Sequence, residues 1–192
     1  MSTLILGLVL FLGVHSVSIF APAWRDAMAA RLGLWPWKIV YALVSIAGFV
    51  LIIQGYAAAR LTPVVLWVPP AAMRHVAATL MLPVFILLLA AYLPGRIKAA
   101  AKHPMLVATK LWAVSHLLAN GMLADVVLFG GFLAWAVADR ISLKRRPARA
   151  LPGAPPSKLN DVIAVVGGIA LYGLFAMVLH ARWIGVAPFG GG

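Results

Sequence analysis

Apolar residues in this chain come in blocks. Six stretches are almost uninterrupted by charge: 4–20, 39–58, 71–92, 105–119, 122–138 and 162–180. A helix crosses the hydrocarbon layer with about 20 apolar residues, and the period-two alternation of a membrane β-barrel is missing. The pattern therefore predicts an all-α, polytopic integral membrane helix bundle with about six transmembrane helices, forming one membrane domain over residues 1–192. The fourth and fifth stretches are short and separated only by Asn120 and Gly121, which predicts a tight hairpin within the membrane. No positive charge precedes the first stretch, and Ser16 and Ser18 make a poor cleavage site, so it reads as a retained span rather than a leader.

Composition agrees. Hydrophobic residues make up 64% of the chain and charged residues 10%, and the mean hydropathy is +1.02. A soluble domain needs more polar surface than that. The formal net charge of +12 first suggests a nucleic-acid binder, but its distribution points elsewhere. With the N-terminus outside, the cytoplasmic loops hold Arg25, Arg31, Lys38, Arg96, Lys98, Lys102, Arg140, Lys144, Arg145, Arg146, Arg149 and Lys158. The other side keeps Arg60, Arg74 and Arg182, with Lys110 inside the fourth stretch. This asymmetry predicts an N-out/C-out topology. The densest basic cluster, Lys144, Arg145, Arg146 and Arg149, lies in a Pro-rich loop over 139–161 and carries no interleaved aromatic residue. It suits anionic membrane lipid as partner and argues against nucleic acid. Trp35, Trp37, Trp67 and Trp183 fall near span ends, as in an aromatic belt. Gly130, Ala134 and Ala138 form a small-residue stripe expected to permit close helix packing.

The chain has no cysteine. That excludes disulfides, thiolate zinc sites, iron–sulfur clusters and covalently attached haem. Asp26, Asp125, Asp139 and Asp161 lie in loops or near span ends and form no evident dyad, and no nucleophile elbow, phosphate loop or His-Glu-x-x-His motif is present. Histidine remains. His15 and His116 interrupt spans, where an ionisable side chain is costly and marks a candidate functional site. His103 precedes Pro104 and reads as a helix entry. His116 lies thirteen residues further on, about 20 Å along a helix, so one metal cannot bridge the two. His116 must look to another helix, and His15 is the histidine at comparable depth. His75 and His180 fall near the outer face, His180 as an interfacial, solvent-bonded residue. Spacing alone leaves two readings of His15 and His116 open: a shared metal, or local bonds to carbonyls and hydroxyls, for which Ser18 and Asn120 are at hand.

Several blocks resemble the NnrU family of bacterial membrane proteins. They are Gly13-Val14-His15-Ser16, Trp67-Val68-Pro69-Pro70 leading to Arg74-His75, and Lys102-His103-Pro104-Met105. Leu111-Trp112-Ala113-Val114-Ser115-His116 and Leu128-Phe129-Gly130-Gly131-Phe132 continue the match, which covers most of the chain. The family is associated by name with nitrogen-oxide metabolism and is similar to the plant 15-cis-ζ-carotene isomerase, a membrane enzyme with haem b. There, two histidines hold the iron, one in a Val-His-Ser motif and one thirteen residues beyond a His-Pro. The resemblance implies His15 and His116 as metal ligands of haem b, in a protein of the bacterial inner membrane. It implies an isomerase-like enzyme acting on a polyene or other lipid, and places His75 as a candidate near a lipophilic substrate. Trp112, one turn before His116, would pack on the porphyrin or simply on its neighbours. Lys110 would pair with a propionate or reach the cytoplasmic headgroups. The chain departs from the isomerase at Ala113, where that enzyme has a cysteine implicated in ligand exchange. A thiolate-to-histidine switch is excluded here, and bis-histidine binding is compatible. Two alternatives stand beside the isomerase reading. One is a haem-based sensor or electron carrier linked to nitrogen-oxide metabolism. The other is a membrane methyltransferase, suggested by Lys102-His103-Pro104 and weakened by the missing C-terminal acidic motif.

Overall fold

A computed structural model describes residues 1–146 and 152–189; Arg149 of the basic cluster lies outside them. The described residues are helical almost throughout and fall into two compact units, each made of two separate stretches of chain.

The first unit comprises Met1–Trp67 and Gly121–Arg146. Its frame is the pair α1 (Ser2–Phe20) and α3 (Leu34–Leu61). Glycines let the two backbones touch: a Cβ on Gly7 would lie 2.6 Å from the Ile52 nitrogen, and one on Gly48 2.7 Å from the Phe11 nitrogen. Gly55 meets the Leu4 backbone in the same way. In lipid, where apolar burial gives helices little reason to associate, such close packing supplies the attraction. The intervening α2 (Pro22–Leu32) begins on a proline and meets α3 at the Trp37 ring, with Arg25 6.0 Å from it and Trp24 edge-on to it at 6.0 Å. Helix α7 (Leu123–Ser142) packs on α1 and α3. It starts where an antiparallel bridge joins Val65 to Met122 and the Leu66 N–H donates to the Gly121 carbonyl at 2.8 Å.

The second unit comprises Val68–Asn120 and Pro147–Gly192. Helix α4 (Met73–Ala90) packs against α6 (Pro104–Ala119) around Val84, Leu87 and Ala108, and against α8 (Asn160–Leu174), where Gly168 meets the Ile86 backbone. Between α4 and α6, the short α5 (Arg96–Ala101) is capped from a distance: Asp161 accepts the N–H groups of Arg96 at 2.8 Å and Ile97 at 3.1 Å. Asn160, 4% exposed, donates to the carbonyls of Pro94 and Pro155. The Tyr172 hydroxyl ties α8 to the Ala78 carbonyl at 2.9 Å. Beyond Leu174 the helix widens into a π turn, Phe175–Leu179, and closes as α9 (His180–Ile184).

All six apolar stretches are helices. Four continuous helical segments, Ser2–Phe20, Leu34–Leu61, Met73–Ala90 and Asn160–Ile184, are long and apolar enough to cross a membrane. Helix α6 has 16 residues, about 24 Å, short of a hydrocarbon layer of about 30 Å. Helix α7 carries Asp125, Asp139 and Arg140. Asn120 and Gly121 fall at the boundary of the two units; α6 packs on α4 within one and α7 on α1 and α3 within the other. On α3, Leu43 is 63% and Ile46 60% exposed, an outward face suited to lipid tails. The small-residue stripe of α7 is not the close-packing surface. A Cβ on Gly130 would meet nothing within 4 Å, and Ala134 is exposed.

Candidate functional site

His15 sits one turn above the glycine contacts of α1. Its Nδ1 bonds the Phe11 carbonyl at 2.6 Å. Its ring stacks on Phe11 at 4.3 Å between centroids, with Tyr41 at 5.1 Å and Trp135 at 6.0 Å, both edge-on. Phe49 and Phe132 extend the aromatic group around Phe11. The Trp135 indole nitrogen is buried with no hydrogen-bond partner, an unusual state for a strong donor. Beside this group, an apolar groove of about 610 Å³ runs along α1 past Leu12, Gly13, Ser16 and Val17.

In the second unit, His116 is anchored the same way. Its Nδ1 bonds the Trp112 carbonyl at 2.8 Å, and the Trp112 ring lies 5.4 Å from the imidazole. Asn120, expected as a partner, donates to the His116 backbone carbonyl at 2.9 Å. Ala113 and Ser115 on the same helix are fully buried. The histidine whose ring adjoins His116 within this unit is His180, at 6.4 Å between centroids with planes 25° apart. Expected as a solvent-bonded interfacial residue, His180 instead has its Nδ1 2.7 Å from the Val186 carbonyl. Lys110 is half-buried on α6. His75 is exposed on the first turn of α4, where its backbone carbonyl accepts from Thr79. His103 stands at the N-cap of α6, the helix entry its proline neighbour predicts.

A backbone carbonyl can only accept. Each of the three anchored imidazoles therefore carries a proton on Nδ1. These are the local carbonyl bonds that stood as the alternative to a metal, and a metal-binding histidine is held through its other nitrogen in the same way. Among the described residues, no group of three or more histidine, cysteine or acidic side chains is placed to hold a metal ion. Donor sets of one or two imidazoles fit a metal that brings its own equatorial nitrogens, as haem iron does.

Two features were not read from the sequence. One is the His116–His180 juxtaposition, which depends on a π turn with no evident signature. The other is Asp125, fully buried at the start of α7, where it accepts the Tyr56 hydroxyl at 2.6 Å and the Met122 N–H at 2.8 Å. Comparison with curated proteins and with solved structures finds no match. The family model described as NnrU protein matches residues 3–188, nearly the whole chain, and the chain therefore belongs to the NnrU family.

Proposed function

We propose that this membrane protein binds haem b, with His15 and His116 as candidate axial ligands, and works as an isomerase-like enzyme on a polyene or another lipid. The observation that carries the reading is the shared anchoring of the two imidazoles. In each, an aromatic residue one turn earlier offers its backbone carbonyl to Nδ1, and a metal would bind through Nε2. When bound, haem iron supplies a redox-active centre that can engage a double bond without net oxidation of the substrate. The chain's own residues supply the setting. Phe11, Tyr41 and Trp135 pack around the His15 ring, and the open apolar face along α1 suits a lipophilic substrate.

A second reading, a haem-based sensor or electron carrier linked to nitrogen-oxide metabolism, is favoured by Ala113. Its methyl group is fully buried in a chain without cysteine, so no thiolate can displace an imidazole from the iron. In both readings the chain spans the bacterial inner membrane six times, N-out and C-out. Hemin added to the detergent-solubilised protein should give a low-spin spectrum with sharp ferrous α and β bands, and His116→Ala should remove it. Conversion of cis-polyenes by the loaded protein separates the enzyme from the carrier. A protein that takes up no hemin ends both readings.

A further inference from the structure

Between its first two long apolar helices the chain passes through α2, and the surface built there mixes indoles with cations. The 11 residues of α2 rise about 16 Å, too little to cross a membrane, whereas α1 and α3 on either side are long and apolar enough to do so. Helix α2 is therefore held at the level of the membrane surface. One side of it faces α3: Ala29 is buried, and Arg25 is partly buried beside the Trp37 ring. Trp24 and Arg31, seven residues and so two turns apart, share a neighbouring side and are exposed, Trp24 by 53%. Gly33, at φ 87°, then turns the chain into α3. Just past that bend Leu34 and Trp35 are exposed as well, Trp35 by 75%, and the Lys38 ammonium lies 5.2 Å from the Trp35 ring.

The charges of this corner do not cancel. Residues 21–38 contain Arg25, Arg31 and Lys38 against one acid, Asp26. Asp26 pairs with Arg25 at 2.8 Å, and among the described residues Arg31 and Lys38 have no acidic partner. We propose that α2 lies in the plane of the membrane interface and that Arg31 and Lys38, on either side of the Gly33 bend, hold the headgroup of an anionic phospholipid. Trp24, Leu34 and Trp35 set the depth. An indole suits the boundary between headgroups and acyl chains because its ring is apolar and its N–H is polar. Helices that combine exposed Trp and Leu with Lys or Arg bind membranes in this plane, by apolar burial and by attraction to anionic lipid together. In the cluster of Lys144, Arg145, Arg146 and Arg149 no aromatic residue is interleaved, so charge alone acts there. The α2 corner couples its charges to aromatic side chains and so selects both a depth and a headgroup.

The chain has no cysteine, so Ala27→Cys, exposed on α2 between Trp24 and Arg31, gives the full-length protein one attachment point for a fluorophore. The labelled protein is placed in phosphatidylcholine vesicles that carry a small share of nitroxide-labelled lipid. Nitroxide-labelled phosphatidylglycerol should quench the fluorophore more strongly than nitroxide-labelled phosphatidylcholine. A cation beside an anionic headgroup is worth about fivefold in association, so Arg31→Gln and Lys38→Gln should each lower the preference by up to that factor and together remove it. Arg145→Gln should leave it unchanged. Trp24→Ala should reduce quenching by both lipids, because the helix loses depth while keeping its charges. Quenching by aqueous iodide with none by either lipid would put α2 in water and overturn the proposal. Equal quenching by the two lipids, unaltered when Arg31 and Lys38 are both replaced, would leave an in-plane helix without a headgroup site and overturn the binding. If inorganic phosphate abolishes the preference where chloride at the same ionic strength does not, the ligand is a soluble anion and the lipid assignment falls.

Discussion

A histidine inside a membrane helix is tolerable when one ring nitrogen has an internal partner, and the i−4 carbonyl is the nearest oxygen available. Phe11 before His15 and Trp112 before His116 supply that oxygen. Local bonding of both rings was one of two readings that the sequence left open; the carbonyls of Phe11 and Trp112 supply it, and which side chains surround the rings was not legible. Tyr41 and Trp135 reach His15 from α3 and α7, and no local signal announces either. Asp125 shows the same division. Its place as a helix-start residue was readable, but its burial under Tyr56 is a contact across 69 positions of chain. Removing that hydroxyl leaves a buried acceptor short of a donor. Tyr56→Phe should therefore cost about 1–3 kcal/mol, read as a lowered unfolding midpoint in detergent. An unchanged midpoint would mean that Asp125 finds another donor at no cost.

At the scale of helices, small residues act only where two backbones meet. Gly48 faces the Phe11 backbone, whereas Gly130 faces open space. Gly48→Leu should force α1 and α3 apart and destabilise the protein by about 1–3 kcal/mol or more. Gly130→Leu should change stability by no more than about 0.5 kcal/mol. Equal effects of the two substitutions would refute this account of how α1 and α3 associate. The sequence singled out the stripe beginning at Gly130 because its i, i+4, i+8 spacing is regular. Regular spacing identifies a smooth face but not what lies against it. Helix α5 depends likewise on a residue far along the chain. Asp161→Ala removes the acceptor for the Arg96 and Ile97 N–H groups and should cost about 0.5–2 kcal/mol, measurable as faster amide exchange at those two positions. Unaltered exchange would show that solvent or lipid headgroups replace the carboxylate.

For the molecule as a whole, the uneven spread of lysine and arginine over the loops predicts both termini outside the cytoplasm. Reporters fused to the C-terminus should be active outside the cytoplasm, and a reporter in the 139–161 loop should be active inside. A C-terminal reporter active only in the cytoplasm would mean either an odd number of spans, with α6 or α7 failing to cross, or the inverted orientation with both termini inside. What the sequence determined by itself is the set of helices, because each apolar block must satisfy its own backbone in lipid and only a helix does so without help from another segment. It determined the membrane class, the absence of thiol chemistry and the list of imidazoles for the same reason: these are properties of residues and of local hydrogen bonds. Only the tertiary structure decided which helices pair, that the chain leaves the first unit after Trp67 and returns at Gly121, and that His180 stands beside His116. Those outcomes depend on side-chain shape, on where two backbones can approach, and on a single widened helical turn, none of which a count of apolar residues records.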